Sequence, residues 1–307
     1  MAVILAICIS DRKGTQKYRI PEGTFAENHG IEGDAHAGKW HRQVSLLSAE
    51  KIEAFREKGV QVEYGAFGEN LVVEGCDLRS LPVGTRFAIG DVLLEMTQIG
   101  KECHDHCAIY NVTGDCIMPR EGVFAKVLHG GKVREGDTLD VIPAAPDRPF
   151  TAAVITLSDR AFRKEREDRS GPVIRDILCE NGYDVAEMIL LPDGEALLKR
   201  NLIRLADQRQ VNVIFTTGGT GFGPRDLTPE ATCAVCDRMA PGIAEAMRAE
   251  SLKITKHAML SRAAAGIRGA TLIINLPGSP KACRENLDVV LPALKHGLGL
   301  LRGTDDN

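Results

Sequence analysis

The chain of 307 residues carries 38 Lys and Arg against 42 Asp and Glu, a formal net charge of −4. This balance gives no long-range attraction to a polyanion, so we expect no nucleic-acid partner. Hydrophobic residues make up 44% of the chain, enough for a large core without disulfide or metal staples. One core rarely grows beyond about 250 to 300 residues, so we expect two domains.

The apolar segment Met1–Ser10 ends in charged residues at Asp11–Lys13. It is too short for a membrane span or an export signal, which predicts a cytoplasmic protein without membrane association. The nine cysteines are then expected to be reduced thiols.

Three prolines within Pro143–Pro149 predict a stiff linker at residues 143–150, between domains at 1–142 and 151–307. Before the linker, apolar segments separated by Gly and Asp turns predict a compact, mostly antiparallel β domain. The residues at 48–58 are typical of one helix with Ser48 as its N-cap.

After the linker, strand-length apolar runs alternate with helical patterns. The predicted strands are Ala152–Leu157, Val185–Leu191, Val211–Thr216 and Ala270–Leu276, and the predicted helices lie at about 171–181, 194–208, 228–250 and 281–301. Continuous apolar strands between helices predict a mostly parallel sheet covered on both faces, a three-layer α/β/α domain. Such sheets bind ligands at the carboxyl ends of their strands.

The third of these strands runs into a glycine-rich loop within Thr216–Glu230. Four glycines in six residues let the backbone approach a ligand closely, and Thr228-Pro-Glu predicts a helix start with Thr228 as N-cap. This pattern is typical of a phosphate cradle, but it matches neither the P-loop nor the dinucleotide fingerprint.

Two other predicted strand ends carry polar groups. Asp193 follows the second strand, and Ser279 and Lys281 lie where the last helix begins. Asp193 and Asp226 offer the oxygen ligands that Mg²⁺ prefers, which favours metal-assisted phosphoryl or nucleotidyl transfer. The alternative is that Asp193 is a turn residue and Asp226 a helix-leading acid.

The segments Ser158–Arg160, Thr216–Gly221, Arg225–Ala231 and Leu276–Ala282 together resemble the molybdopterin adenylyltransferase family, over about residues 150–305. The resemblance implies a homotrimer-forming domain that binds ATP and molybdopterin, with Asp193 and Asp226 supporting Mg²⁺ and catalysis. The terminal phosphate of molybdopterin would attack the α-phosphorus of ATP, and pyrophosphate would leave.

The same resemblance implies a set of ligand-binding residues. They are Ser158, Asp159, Thr217, Gly218, Gly219, Thr220, Gly221, Arg225, Glu230, Pro277, Gly278, Ser279 and Lys281. One departure from the family pattern is the charged segment Ala161–Ser170, where glycine and an aromatic are expected. The alternative without a functional role is that this segment is a solvated loop.

Before the linker, the chemistry concentrates in Gly100–Cys107 and at Cys116. Cys103 is a candidate functional thiolate, favoured by the neighbouring Lys101, His104 and His106. The alternatives are a structural zinc or iron–sulfur site built from Cys103, Cys107, Cys116 and a histidine, or inert buried thiols for Cys107 and Cys116.

The segments Gly33–Gly38, Arg42–Leu47, Phe67–Leu71, Gly100–His104 and Gly136-Asp137 resemble the MOSC domain, a β-barrel module named after the C-terminus of molybdenum-cofactor sulfurase. The resemblance implies molybdenum cofactor binding with Cys103 facing the metal or its sulfur, as a candidate molybdenum ligand. Polar residues near the cofactor phosphate would be drawn from Lys39, His41, Arg42 and Asn70.

No pyridoxal-phosphate sulfurase domain accompanies the MOSC-like part, so a sulfur donor would be another protein. A molybdenum-insertion protein or a molybdoenzyme is the expected partner. Cys233 and Cys236 are interpreted as plain thiols, and the leucines of the last helix as core or trimer contacts.

The sequence therefore predicts an enzyme fused to a cofactor-handling module. Two rival hypotheses remain: a non-catalytic cofactor carrier, and an unrelated nucleotide-binding regulator.

Overall fold

A computed structural model describes residues 1–101 and 115–304. The chain divides into two compact units, Met1–Ala145 and Pro146–Asn307. Within the described ranges, none of the helices has the length and apolar character that crossing a membrane requires.

The first unit is a β-barrel, as predicted. Its strands are β1 Ala2–Ile9, β2 Tyr18–Ile20, β3 Glu22–Ala26, β4 Gly30–Ile31, β5 Val44–Ser48, β6 Leu71–Glu74, β7 Arg86–Ile89, β8 Val92–Ile99, β9 Val123–His129, β10 Gly131–Arg134 and β11 Thr138–Ile142. Among the described residues, seven strands close the ring in the order β1, β11, β7, β8, β9, β5, β6. Neighbours are antiparallel except the pair β5 and β6.

The barrel closes around an apolar interior to which most of its strands contribute. Ile4, Leu46, Phe87 and Leu94 are fully buried there. Outside the barrel, the helix Ala49–Arg56 packs through Ile52 and Phe55 against a second apolar cluster. Among the described residues of this unit, the other helical turns are Leu78–Ser80 and Met118–Glu121.

Ser48 precedes the helix Ala49–Arg56, but its side chain makes no capping bond to it. The hydroxyl donates to Cys76 O at 2.7 Å and accepts from Leu78 N at 3.2 Å. The predicted N-cap position is confirmed, although the hydroxyl bonds to a neighbouring loop and not to the helix.

A buried carboxylate organises the turn before β6. The oxygens of Glu69 accept N–H bonds from Gly65 at 2.7 Å and Phe67 at 3.0 Å, and the residue is fully buried. Burial raises the pKa of Glu69 to about 7, although the backbone N–H bonds act in the opposite direction. The carboxyl group therefore changes charge near neutral pH inside the folded unit.

We expect the first unit to lose stability as pH rises from about 4.5 to above about 7, by on the order of 5 °C in Tm. The pKa of Glu69 is higher in the folded chain than in the unfolded chain. The folded chain is therefore stabilised at low pH, where the buried carboxyl group is neutral. That stabilisation is lost as pH rises through the folded pKa of about 7. Glu69→Gln keeps an acceptor and removes the charge, so its Tm should fall less. Fluorescence of Trp40, the single tryptophan, reports this unit, and identical pH profiles for both proteins would contradict the assignment.

The second unit contains one six-stranded sheet among its described residues, in the order β13, β12, β14, β17, β16, β15. The strands are β12 Thr151–Leu157, β13 Asp184–Leu191, β14 Val213–Thr217, β15 Arg238–Met239, β16 Ala265–Arg268 and β17 Thr271–Leu276. β13, β12, β14 and β17 are parallel, and β16 and β15 continue the sheet in antiparallel pairs.

Helices cover both faces of this sheet. They are Asp159–Phe162, Ser170–Glu180, Glu195–Ile203, Thr228–Val235, Pro241–Leu252 and Pro280–Arg302, with a π turn at Arg204–Gln208 and a 3₁₀ turn at Lys256–Leu260. Consecutive residues of a strand point to opposite faces, so Ile214 joins one apolar core and Phe215 the other. The predicted three-layer domain with a mostly parallel sheet is confirmed.

The strand register brings four loops to one edge of the sheet. Leu157 pairs with Leu191, and Thr217 pairs with Thr156 on one side and Leu276 on the other. The loops that follow β12, β13, β14 and β17 therefore leave the sheet at the same level.

The continuous helix predicted at about 228–250 is wrong. Two helices occupy this region, Thr228–Val235 and Pro241–Leu252, and the short β15 lies between them. Pro241 stands in the first turn of the second helix, where a missing N–H costs nothing, whereas inside a longer helix it would break the hydrogen-bond ladder.

Candidate functional site

Two carboxylates meet at the common edge of the parallel strands. Asp193 follows β13, and Asp226 lies in the loop after β14. Burial, and then the negative charge of Asp226, raise the pKa of Asp193. The two acids are therefore close enough to repel each other, and a cation between them would relieve that repulsion.

Asp159 ties the ends of β12 and β13 together. Its N–H donates to Asp193 Oδ2 at 3.2 Å, and the N–H of Asp193 donates to Asp159 Oδ1 at 3.1 Å. The Arg225 guanidinium bonds to the Asp159 carboxylate and lies 3.7 Å from Asp193 Oδ2. Arg225 thus places one positive charge beside two of the acids.

The first two glycines of the loop occupy positions that exclude a side chain. Gly218 has φ +98°, and a Cβ there would stand 2.4 Å from Leu157 O. Gly219 has φ +65°, and a Cβ there would stand 2.4 Å from Thr228 Oγ1. Both the backbone conformation and the space require glycine.

The next two glycines surround the Asp226 carboxylate. A Cβ at Gly221 or Gly223 would lie 2.9 or 2.8 Å from Asp226 Oδ2. The N–H of Gly223 donates to the same oxygen at 2.9 Å. The bare backbone thus wraps around this acid, and substitution at either glycine would displace it.

The predicted N-cap at Thr228 is wrong, because Thr228 is the first residue of its helix and Leu227 precedes it as cap. The Thr228 hydroxyl donates to Gly218 O at 2.9 Å, and its N–H donates to Gly219 O at 3.1 Å. These bonds attach the start of the helix to the glycine loop.

The loop after β17 touches the glycine loop. Thr217 Oγ1 donates to Pro277 O at 2.7 Å, and a Cβ at Gly278 would lie 3.5 Å from Gly218 Cα. Ser279 caps the 23-residue helix Pro280–Arg302 by accepting from Ala282 N at 3.2 Å.

The remaining predicted binding residues lie around these loops. Ser158 caps the helical turn Asp159–Phe162 by accepting from Ala161 N at 3.2 Å. Thr220 is buried between Gly219 and Gly221. Lys281 is 81% exposed at its side chain, with Nζ 3.7 Å from Glu285 Oε1.

Sequence reasoning missed two features of this edge. Arg262 donates through Nε to Gly221 O at 2.7 Å and also bonds to Asp226 O and to the Glu230 carboxylate. No motif pointed to Arg262, because it lies far along the chain from the loop it contacts.

The second missed feature ends the charged segment after β12. Asp168 Oδ1 accepts from the N–H groups of Ser170 and Gly171, each at 3.0 Å. Ser170 Oγ donates to Gly278 O at 2.8 Å. The end of this segment is thus tied to the loop after β17. The sequence signal for this contact was Asp168, an acid two residues before the start of a helix.

A cavity of about 290 Å³ opens beside the glycine loop. Thr220, Gly221 and Pro277 form its wall toward the acids. Its other lining residues mix apolar and polar groups: Ala244, Met247, Arg248, Ser251, Thr255, His257, Ala258, Leu260, Ser261, Ala263, Ala282, Glu285 and Asn286.

In the first unit, His41 Nε2 lies 2.9 Å from Gln98 Oε1, and Gln98 Nε2 donates to Gly100 O at 2.7 Å. The Arg42 guanidinium lies over the Trp40 ring at 4.8 Å. Asn70, one of the expected phosphate contacts, is buried and bonded to the barrel instead. Lys39 is exposed.

Cys103 and Cys107 lie outside the described residues, together with His104 and His106. Cys116 is buried. Within residues 1–101 and 115–304, no three His, Cys, Asp or Glu side chains gather as a metal site.

Comparison with known proteins identifies the domain of each unit and connects the second unit to molybdenum cofactor biosynthesis. The model of a probable molybdopterin binding domain matches residues 153–296, and that of the MOSC domain matches residues 33–140. Molybdopterin adenylyltransferase of Helicobacter pylori (strain ATCC 700392 / 26695) is 45% identical over 152 residues, which cover 49% of this chain and 86% of that protein.

The enzyme of the same name from Escherichia coli (strain K12) is 39% identical over 143 residues, 46% of this chain and 73% of that protein. The crystal structure of the molybdopterin biosynthesis enzyme MoaB from Thermus thermophilus is 48% identical, covers 50% of this chain and 97% of that chain, and has a TM-score of 0.48. The chain thus belongs, through its second unit, to the molybdopterin adenylyltransferases, nucleotidyltransferases of molybdenum cofactor biosynthesis, and carries a MOSC domain in its first unit.

Proposed function

We propose that the second unit transfers an adenylyl group from Mg-ATP to molybdopterin at the shared edge of its parallel strands. The observation that carries the proposal is that Arg225, the residue before Asp226, lies 3.7 Å from Asp193 Oδ2, beside a loop whose glycines cannot be replaced without collision. Two carboxylates suit Mg²⁺, which takes its other ligands from water and substrate phosphates. The ion would neutralise phosphate charge during transfer.

The chain's own groups position the two phosphorylated reactants. Gly218 and Gly219 pack directly against Leu157 O and Thr228 Oγ1, which holds the loop backbone at the sheet edge where a phosphate chain would lie. The N-terminus of the helix Pro280–Arg302, with Ser279 as its cap, favours a second anionic group. Arg225 supplies a positive charge beside Asp159 and Asp193.

The proposed reaction forms one bond and breaks one. An oxygen of the terminal phosphate of molybdopterin bonds to the α-phosphorus of ATP, while the bond between the α-phosphorus and the bridging oxygen breaks and pyrophosphate leaves. No oxidation occurs. Positioning and charge neutralisation carry most of the catalysis in this class of reaction.

The 290 Å³ cavity beside the glycine loop is the proposed place for the pterin ring. It shares Thr220 and Gly221 with the loop, and a Cβ at Gly221 would lie 2.9 Å from Asp226 Oδ2, so a ligand there would lie beside that acid. Ser251, His257 and Asn286 offer hydrogen-bonding groups to the edges of the ring.

Incubation of the full chain with molybdopterin and Mg-ATP tests this function. We expect stoichiometric pyrophosphate release and a pterin product heavier by one adenylyl group, read by mass spectrometry. Binding of both ligands without pyrophosphate release would instead support the non-catalytic carrier. Nucleotide binding without any effect of molybdopterin would support a regulator.

For the first unit we propose molybdenum cofactor binding, with Cys103 presented to the metal or its sulfur. The match to the MOSC domain supports this role. In the cytoplasm, a sulfur donor and a molybdenum-insertion protein or molybdoenzyme would be the protein partners. The fusion would keep a labile pterin at high effective concentration near a second site.

Cys103→Ser is expected to lower the cofactor retained by the purified protein by about tenfold, because a hydroxyl is a poor ligand for a soft metal or sulfur. Adenylylation by the second unit should stay at the parental rate. Cys179→Ser, which alters an exposed thiol of the second unit, is the matched control. Equal retention by all three proteins would remove Cys103 from the site, and stoichiometric zinc by elemental analysis would favour the structural metal site.

We also propose that the second unit forms a homotrimer through an apolar groove of about 620 Å³ between the helices Pro241–Leu252 and Pro280–Arg302. Leu300 lines this groove and is 39% exposed. Contiguous exposed apolar surfaces commonly mark interfaces between protein chains.

Leu300→Glu is expected to shift the particle mass in light scattering from trimer to monomer, because it places a charge in the interface. Leu197→Glu is the matched control, since Leu197 is 44% exposed on a different helix and outside the groove. A trimer in both variants would remove the groove from the interface.

A further inference from the structure

One arginine outside the sequence motifs holds the glycine loop from the side. The N–H of Arg262 donates to Thr220 O at 2.9 Å, and its Nε donates to Gly221 O at 2.7 Å. Its terminal nitrogens donate to Asp226 O and to the Glu230 carboxylate. A single residue therefore bonds to both ends of the loop that carries Asp226.

The loop between these bonds has little apolar anchoring of its own. Phe222, at its tip, is 69% exposed, and Gly221 and Gly223 flank it. Glycine-rich segments lose much conformational entropy when they are ordered. A planar guanidinium with donors in fixed directions is well suited to supply that order.

We propose that Arg262 is a positioning residue that orders this loop, so that the Asp226 carboxylate faces Asp193 and the pair binds the divalent cation. The inference rests on the proposed function, in which these two acids hold Mg²⁺. Arg262 acts through Asp226, by way of bonds to backbone carbonyls, and its side chain needs no contact with either reactant.

The ion pair between Arg262 and Glu230 does not by itself account for such a role. The Glu230 side chain is 43% exposed, and exposed ion pairs contribute little to stability. The bonds to the carbonyls of Gly221 and Asp226 are the ones that fix the loop.

A cation-binding measurement without turnover tests the proposal on the full chain. The probe is Mn²⁺, titrated by electron paramagnetic resonance with α,β-methylene-ATP, whose α–β linkage cannot be cleaved. Arg262→Gln is expected to raise the Mn²⁺ Kd by about tenfold, the lower range for partners of metal ligands. Arg262→Lys should raise the Mn²⁺ Kd by about threefold, because the lysine ammonium keeps the positive charge but lacks the planar set of N–H donors of the guanidinium.

Arg268→Gln is the matched control. Arg268 makes a comparable set of bonds, to the Asp207 carboxylate at 2.6 and 2.8 Å and to Val235 O at 2.9 Å, and these partners lie outside the glycine loop. Its Mn²⁺ Kd should match the parent. Equal weakening in Arg268→Gln would reduce Arg262 to a general contributor to stability and overturn the proposal.

Parental Mn²⁺ affinity in Arg262→Gln would also overturn it. If that variant does not fold, Arg262→Lys decides in its place, and parental affinity there is the contradicting result. Asp226→Asn separates this inference from the proposed function. Parental affinity in Asp226→Asn removes the metal role of the acid pair, whereas weak binding in Asp226→Asn with parental binding in Arg262→Gln refutes the positioning role alone.

Discussion

Asp226→Asn is expected to lower pyrophosphate release by the full chain by at least about 100-fold, the usual effect of removing a preorganised charge from a transfer site. Asparagine has the same shape as aspartate, so the packing against Gly221 and Gly223 remains. Its amide oxygen still accepts from Gly223 N. The variant therefore removes the charge and leaves the loop in place.

Asp237→Asn is the matched control for this experiment. Asp237 also accepts a backbone hydrogen bond, at 2.7 Å from the N–H of Gly269. Gly269 lies in the turn between β16 and β17, outside the glycine loop. Its turnover should equal that of the parent. Full turnover in Asp226→Asn would exclude the acid from the mechanism.

Asp226→Asn should also raise the Tm of the metal-free protein slightly, by about 2 °C. The charge of Asp226 contributes to the raised pKa of Asp193, so the two acids destabilise each other when no cation is present. If the acid pair stabilised the fold, Asp226→Asn would lower the Tm instead. Calorimetry with and without excess Mg²⁺ measures the difference.

The architecture of the second unit was predictable because the alternation of apolar strands with helices along the chain is a local signal. The runs that became β12, β13, β14 and β17 were recognisable, and parallel strands must bring their carboxyl ends together. The acids at Asp193 and Asp226 followed from that geometry. Their individual roles stay predictions that the variants above address.

The differences in helix capping came from competition between partners. The hydroxyls of Ser48 and Thr228 each precede or begin a helix, yet both bond to a neighbouring loop instead. Sequence position shows which hydroxyls are able to cap a helix, but the folded chain decides which acceptor is nearest. Pro241 was another overlooked local signal, and it divides the segment that periodicity alone predicted to be a single helix.

Arg262 shows the limit of motif reading. It is 41 residues from Gly221, and only the antiparallel addition of β16 to β17 brings it beside the glycine loop. Four strands of this unit were predicted from the sequence, and β16 was not among them. A contact that depends on an unpredicted strand has no signal in the spacing of residues.

Gly218→Ala is expected to reduce turnover by about 100-fold or more while the sheet remains folded. The added Cβ would stand 2.4 Å from Leu157 O, a backbone atom that ends β12 and cannot move without the strand. The positive φ of +98° adds about 1 to 2 kcal/mol of strain for any side chain. The loop must shift, and a displacement of about 1 Å at a transfer site is enough for such a loss.

Gly269→Ala separates strain from steric displacement. Gly269 also has positive φ, +54°, in the turn between β16 and β17, but a Cβ there would meet no atom within 4 Å. It should lose a similar amount of stability by chemical unfolding and keep parental turnover. If Gly218→Ala also turned over at the parental rate, the reactants would not depend on the close approach of this backbone, and the phosphate-binding role of the glycine loop would have to be abandoned.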